Sequence, residues 1–307
     1  MRAAWILSFC ATVVAAQEPP NIKVDVNLVN LACSVRDARG ALAAQLTRDD
    51  FEVVEDGVAQ KLSFFGRSLD LPLTLGLIVD VSGSQEEFAR QHHRDIDEFL
   101  KRVLRPQDRA FLICFGNHLR LVSDFSSDSG QLMDQLKRFE HGERGFPELG
   151  PRDEDRDGGT ALFDALIYSS EKFQNEPGRK ALVVFSDGED NASAHHLIDA
   201  IEAAQGSGAV AYAIRYTEMK HGRLNARNKY GTRVLDRLAQ DTGGRAFDAL
   251  KVDLKDAFEE IEQELRSLYE LAYASTSPAA EGSFRKVTVR VKQPGYKVRT
   301  KAGYFAR

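Results

Sequence analysis

The sequence predicts an α/β protein: a doubly wound, mostly parallel, Rossmann-like sheet, with a smaller all-β module formed by the N- and C-terminal segments. Three observations lead there. Residues 73–79, 109–115, 180–185 and 209–216 are short, nearly continuous apolar runs, as expected of strands buried on both faces of a parallel sheet. Segments with apolar residues at helical spacing alternate with these runs, which is the signature of crossover connections. Both ends of the chain instead alternate with a period of two, as half-buried antiparallel strands do.

From the start, Arg2 followed by the mostly apolar residues 3–14 and the small Val14-Ala15-Ala16 has the pattern of a secretory signal peptide, too short to span a bilayer. Cleavage after Ala16 places the protein outside the cytoplasm, in the periplasm or secreted, and removes Cys10 and Trp5. No other segment reaches membrane-spanning length. Residues 17–69 form the first part of the β module. Within it, 22–31 and 32–35 alternate, Asp37-Ala38-Arg39-Gly40 is a turn, and 51–57 runs into an Asp56-Gly57 hairpin with 60–65 as the return strand. This part alone is too small to bury a core.

The α/β domain spans residues 70–268. Residues 86–104 are helical, with Phe88, Ile96, Phe99, Leu100 and Val103 on one face. Residues 120–125 are expected as an edge strand. Residues 126–129 offer caps to a helix ending near 139. Residues 140–159 are a Gly-, Pro- and Asp-rich loop. Helices follow at 161–173, 194–204, 234–240 and 253–268, with a short strand at 244–247. Strands at 271–275, 284–291 and 296–300 complete the β module over 269–307. The economical packing is one β-sandwich from both chain ends, with the α/β domain inserted.

Bulk properties narrow the function. The net charge of −5 over 307 residues gives no basic surface for nucleic acid. Cys33 and Cys114 fall in separate domains and read as free buried thiols, and no Cys/His pair has zinc spacing. His92-His93 and His195-His196 are expected at the surface, and Tyr269, Tyr273, Tyr296 and Tyr304 in the packing of the β module.

In an open parallel sheet, ligands bind beyond the carboxyl ends of the strands at the switch point. Three polar clusters fall there: Asp80-Val81-Ser82-Gly83-Ser84, Gly158-Gly159-Thr160 and Asp187-Gly188. Two carboxylates and three hydroxyls would converge. All are hard oxygen donors, suited to Mg²⁺ (or Mn²⁺ or Ca²⁺) rather than to soft metals. The competing reading is that Asp80, Ser82 and Ser84 merely cap the next helix.

Asp80-x-Ser82-x-Ser84, Thr160 and Asp187-Gly188 together resemble the metal-ion-dependent adhesion site of von Willebrand factor type A domains, in order and in strand context. The resemblance covers the whole α/β segment. It implies that Ser82 and Ser84 ligate the ion directly, that Thr160 does so when a partner is bound, and that Asp80 and Asp187 act mostly through water. It further implies an open position for a partner protein's Asp or Glu. The flanks, Thr47-x-x-Asp50-Phe51-x-Val53-x-Glu55-Asp56-Gly57 with Arg285-Lys286-Val287-x-Val289 and Gly303-Tyr304, resemble an exported bacterial group of such proteins frequent in Acidobacteria.

A second acidic feature, Asp153-x-Asp155-x-Asp157-Gly158, begins like an EF-hand Ca²⁺ loop, with Asp164 where the closing Glu would stand. Asp is shorter than Glu, and Pro147 and Gly150 occupy the place of the preceding helix. A solvated acidic loop beside the metal site is the alternative. The expected function is thus adhesion or protein binding without catalysis. A metal-assisted hydrolase would need a base beside the ion, and none is evident. A structural envelope protein is the third reading.

Overall fold

A computed structural model describes residues 28–67, 71–116, 118–150, 159–217, 224–277, 280 and 282–306. The signal segment and Asp153, Asp155 and Asp157 lie outside them. The described chain runs β1 (Leu28–Arg36), β2 (Phe51–Glu55), β3 (Val58–Gln60), β4 (Leu62–Gly66), β5 (Leu73–Asp80), a 3₁₀ turn (Gly83–Phe88), α1 (Ala89–Val103), β6 (Arg109–Phe115), β7 (Leu119–Ser126), α2 (Ser129–Glu140) and β8 (Glu148–Leu149). It continues with α3 (Leu162–Lys172), β9 (Arg179–Ser186), α4 (Leu197–Ser207), β10 (Ala209–Arg215), α5 (Ala226–Thr242), β11 (Ala246–Asp248), α6 (Leu254–Arg266), β12 (Tyr269–Ala274), β13 (Phe284–Val291), β14 (Lys297–Arg299) and β15 (Gly303–Phe305).

A seven-stranded sheet, ordered β11-β10-β9-β5-β6-β7-β8, forms the middle layer. The pairs β5–β6, β5–β9, β9–β10 and β10–β11 are parallel, and β7 and β8 join antiparallel. Every residue of β5 is buried, which is why its sequence is apolar without alternation. Leu73, Leu75, Leu77 and Val79 face a core closed by α1, α2 and α6 through Phe99, Leu136 and Phe258. Ile78 and its neighbours on β6 face a second core closed by α3, α4 and α5 through Leu166, Ile201 and Leu235. At roughly 25 cal/mol per Å² of apolar surface, these two cores dominate the folding free energy. The chain steps from β5 to β6 on one side and later places β9 on the other, so β5 and β9 flank the switch point.

Both chain ends form two four-stranded sheets, β14-β1-β12-β4 and β15-β13-β2-β3. They share one core of Leu31, Val35, Phe51, Val53, Tyr273 and Val289, with Tyr296 and Tyr304 packed against it. Glu55 is fully buried between them, its carboxylate accepting from the hydroxyls of Tyr273 (2.7 Å), Ser275 (2.5 Å) and Tyr304 (3.0 Å). Buried charge is tolerated when its lone pairs are met in this way.

Arg179 ties the entry and the exit of the inserted domain together. Its N–H donates to Pro72 O at 2.9 Å, and its guanidinium donates to Leu265 O (2.8 Å) and Leu268 O (2.9 Å). Arg266 reaches Val103 O at 3.0 Å and pairs with buried Asp108. From α6, buried Glu264 accepts from Arg299 at 3.0 Å and from Ser34, joining the helix to the β module.

Several expectations need correction. The return strand at 60–65 is two strands in different sheets, because the chain changes sheet at Lys61. The strand expected at the edge over 120–125 spans 119–126, and the two-residue β8 from the following loop pairs with its first residues, Leu119 and Arg120. His92 is not at the surface: it is 3 % exposed, with its ring 4.2 Å from Tyr216 and near Phe88 and Phe185. Burial among these rings pushes its pKa down to about 4. Cys33 and Cys114 are free, buried thiols in separate cores. Among the described residues, no helix is long and apolar enough to cross a membrane.

Candidate metal site at the ends of β5 and β9

Strand β5 ends at Asp80 and β9 ends at Ser186, so both deliver polar side chains to one end of the sheet. Asp80 is 1 % exposed. Its Oδ1 accepts from the Ser82 N–H at 3.0 Å, and its Oδ2 from the Ser186 hydroxyl at 2.6 Å. Ser186 in turn accepts from the Gly188 N–H at 2.9 Å, which shapes the loop after β9.

Ser82 starts the 3₁₀ turn, but its side chain makes no capping hydrogen bond. Its Oγ lies instead 3.2 Å from Ser84 Oγ. Ser84 donates to Asp187 Oδ2 at 2.8 Å, and Gln85 Nε2 donates to the same oxygen at 2.9 Å. Asp187 Oδ1 accepts from the Glu189 N–H at 3.0 Å. Four of the five expected residues, Asp80, Ser82, Ser84 and Asp187, are therefore linked directly or through one hydrogen-bonding side chain.

Thr160, 2 % exposed, reaches the same end of the sheet through its backbone. The Ala161 N–H donates to Gly116 O at 2.8 Å, just after β6. The Thr160 N–H donates to Asn191 Oδ1 at 2.8 Å, and Thr160 O accepts from the N–H groups of Asn191 and Ala192 at 3.0 and 3.1 Å. The loop after β9 thus holds the peptide of Thr160. Gly159, at φ +133°, is needed there, because a Cβ would lie 2.8 Å from that of Ala192. On the other side, α5 packs against the loop with no room for side chains: a Cβ on Gly231 would lie 2.3 Å from Asp187 O, and one on Gly188 would lie 2.3 Å from Gly231 O.

Asp164 is buried at the start of α3. Its Oδ2 accepts from the Ala194 N–H at 2.9 Å, and its Oδ1 faces His195 Nδ1 at 2.8 Å. It holds the turn that leads into α4.

Electrostatically the site is short of positive charge. Burial, followed by the charge of Asp187, raises the Asp80 carboxyl to about 7. Burial and then Asp187 also raise Glu189, which Arg227 partly offsets through an ion pair. A cation among these oxygens would relieve both effects. Adjacent hydroxyl and carboxylate oxygens fit a hard divalent ion. Among the described residues, no group of three or more His, Cys, Asp or Glu side chains is arranged to hold a metal ion.

Sequence reasoning missed Gln85, Ser186 and Asn191. Each holds a site residue in place, yet each lies within a polar run of the sequence that singles out none of its members, and its role arises from contacts with other loops. Position alone offered a signal: Gln85 and Ser186 directly adjoin motif residues.

Residues 75–189 match the family model of the von Willebrand factor type A domain. No functionally curated protein matches the chain. Similar solved structures include an aerotolerance-related membrane protein from Bacteroides fragilis, at 17 % identity over 63 % of this chain and 98 % of that one, with a TM-score of 0.46. The conserved hypothetical protein BatB from Bacteroides thetaiotaomicron is also 17 % identical, over 64 % of this chain and 100 % of that one, with a TM-score of 0.45. A von Willebrand factor type A protein from Catenulispora acidiphila is 13 % identical over 93 % of this chain and 75 % of that one, with a TM-score of 0.45.

Proposed function

We propose that this chain, whose residues 75–189 carry a von Willebrand factor type A domain, is an exported protein-binding module of the adhesion type. In this reading it engages an Asp or Glu side chain of a partner through a divalent ion, Mg²⁺ or Mn²⁺, held by Asp80, Ser82, Ser84, Thr160 and Asp187. Domains of this type typically mediate protein interactions. The observation that carries the metal reading is the Ser82 hydroxyl. It caps no helix, and it lies beside Ser84, which reaches Asp187. Capping alone would leave that row of oxygens unexplained.

The bound ion would supply an electrophilic centre with room for an outside carboxylate. Ser82 and Ser84 offer neutral oxygens, so the ion keeps much of its charge. Asp80, whose oxygens both accept hydrogen bonds within the protein, would act by orienting Ser82 and bound water. Gln85 and Ser186 would fix the two carboxylates.

The reading is non-catalytic. His118 faces Glu148 and His195 faces Asp164, so neither is placed to activate Ser82 or Ser84. Export to the periplasm or beyond rests on the Arg2 to Ala16 pattern.

The test is a Mn²⁺ titration by calorimetry, followed by capture of Asp- and Glu-bearing peptides on immobilised protein. Saturable Mn²⁺ binding lost in Ser84→Ala, with peptide capture reversed by EDTA, is expected. Capture that persists unchanged in chelator would sink the proposal.

A further inference from the structure

At the opposite end of β9 from Asp187, a cavity of about 370 Å³ lies between the α/β domain and the β module. That is within the range of roughly 300–1,000 Å³ typical of small-molecule sites. Its lining includes the apolar residues Phe64, Leu71, Val210 and Leu268. A second hollow of about 780 Å³ adjoins it and shares Lys180, Gln205 and Lys301.

Those three polar residues are poorly matched by their surroundings. Among the described residues, neither lysine has a carboxylate within ion-pair distance. Lys180 Nζ donates to Ser207 O at 3.2 Å, and Lys301 Nζ lies 5.8 Å from the centre of the Tyr304 ring. Burial lowers both ammonium groups, Lys301 to about 8. Gln205 is 5 % exposed. Its Nε2 donates to Asp241 O at 2.7 Å, which fixes the amide orientation, and its Oε1 has no partner. Glu270 on the cavity wall faces Arg179 at 3.4 Å, and Glu202 borders the second hollow.

Two partly desolvated cations with no carboxylate within ion-pair distance among the described residues, beside an apolar floor, describe the complement of an amphiphilic acid. The geometry points to a binding site for such a molecule: its carboxylate sits between Lys180 and Lys301, its chain lies against Phe64, Leu71 and Leu268, and Gln205 Oε1 accepts a hydroxyl or N–H where the ligand carries one. Transfer of the chain from water supplies affinity, and the paired lysines supply the preference for an anion. This site is independent of the metal site and needs no divalent ion.

The test uses the full chain in EDTA, with decanoate as the probe and decanol and decyltrimethylammonium as matched neutral and cationic probes. Calorimetry is expected to show one saturable decanoate site, with each of the other two at least tenfold weaker. Lys180→Met/Lys301→Met is expected to weaken decanoate at least tenfold, whereas Lys301→Arg keeps it within about threefold. Val210→Phe, which fills the cavity, is expected to abolish binding. Circular dichroism melts establish that the variants fold. Equal binding of decanol and decanoate by the wild-type chain would overturn the inference, as would the absence of a saturable site. Unchanged decanoate binding by the folded double variant would do the same.

Discussion

Gln85 offers the sharpest separation between a site residue and a structural one. Its Nε2 donates to Asp187 Oδ2 at 2.9 Å, while its Oε1 is buried with no partner. Gln85→Leu removes both atoms at similar volume. A hydrogen bond to a charged acceptor contributes about 1.5–3 kcal/mol, or roughly ten- to a hundredfold in a binding constant. Removing a residue that orients a metal ligand costs a similar 10–100-fold in metal affinity. In the metal-free protein, losing that bond is offset in part by removing an unsatisfied buried carbonyl, so the change in stability should stay within about 1 kcal/mol. The expected result is a Mn²⁺ dissociation constant raised about 10–100-fold by calorimetry, with a nearly unchanged urea midpoint. If Mn²⁺ affinity is unchanged in Gln85→Leu but falls in Ser84→Ala, Gln85 does not position the site. A large loss of stability with metal affinity intact would instead assign it a purely structural role.

Gly231→Ala places a methyl where Asp187 O stands 2.3 Å away; the loop must shift, so Mn²⁺ affinity should fall at least tenfold with α5 still formed by circular dichroism. His92 binds a proton at about 4 when folded against 6.5 ordinarily. Between those values the unfolded chain takes up the proton first, so stability falls as pH drops from 6.5 to 4, by up to about 3 kcal/mol. Urea titrations of His92→Phe should show a shallower decline over that window, and an identical slope would count against the buried neutral imidazole. Asp108→Ala strands the buried Arg266 guanidinium and should cost about 3–5 kcal/mol by urea unfolding. Calcium titration of Asp155→Ala tests the acidic run: a wild-type isotherm removes Asp153, Asp155, Asp157 and Asp164 as a Ca²⁺ loop.

The sequence carried much of the architecture because parallel strands buried on both faces leave an unmistakable apolar run. Residues 73–79 and 180–185 are such runs, and the positions of Asp80 and Asp187 follow from where they end. Other features were hidden because they depend on partners far along the chain. His92 looks polar in a helix whose neighbours are Arg and Gln, yet Phe88, Phe185 and Tyr216 enclose it. Gln85 has no local pattern, because its partner is 102 residues away. The split at Lys61 was equally invisible, since period-two alternation continues across a change of sheet.

The grip of Arg179 on Pro72, Leu265 and Leu268 bears on the order in which the molecule assembles. Strands β1 and β12 pair Leu28 with Ala274, so most of the chain lies inside the loop they close. Closing so long a loop in a disordered chain is entropically unfavourable and slow, and distant pairings tend to form late. Once the inserted domain has folded, the same arginine bonds residues on either side of it, one through its backbone N–H and two through its guanidinium, and the effective loop becomes short. The terminal sheets are then expected to zip together in a late kinetic phase. Stopped-flow refolding of Arg179→Met should lengthen that phase more than it slows formation of the parallel sheet.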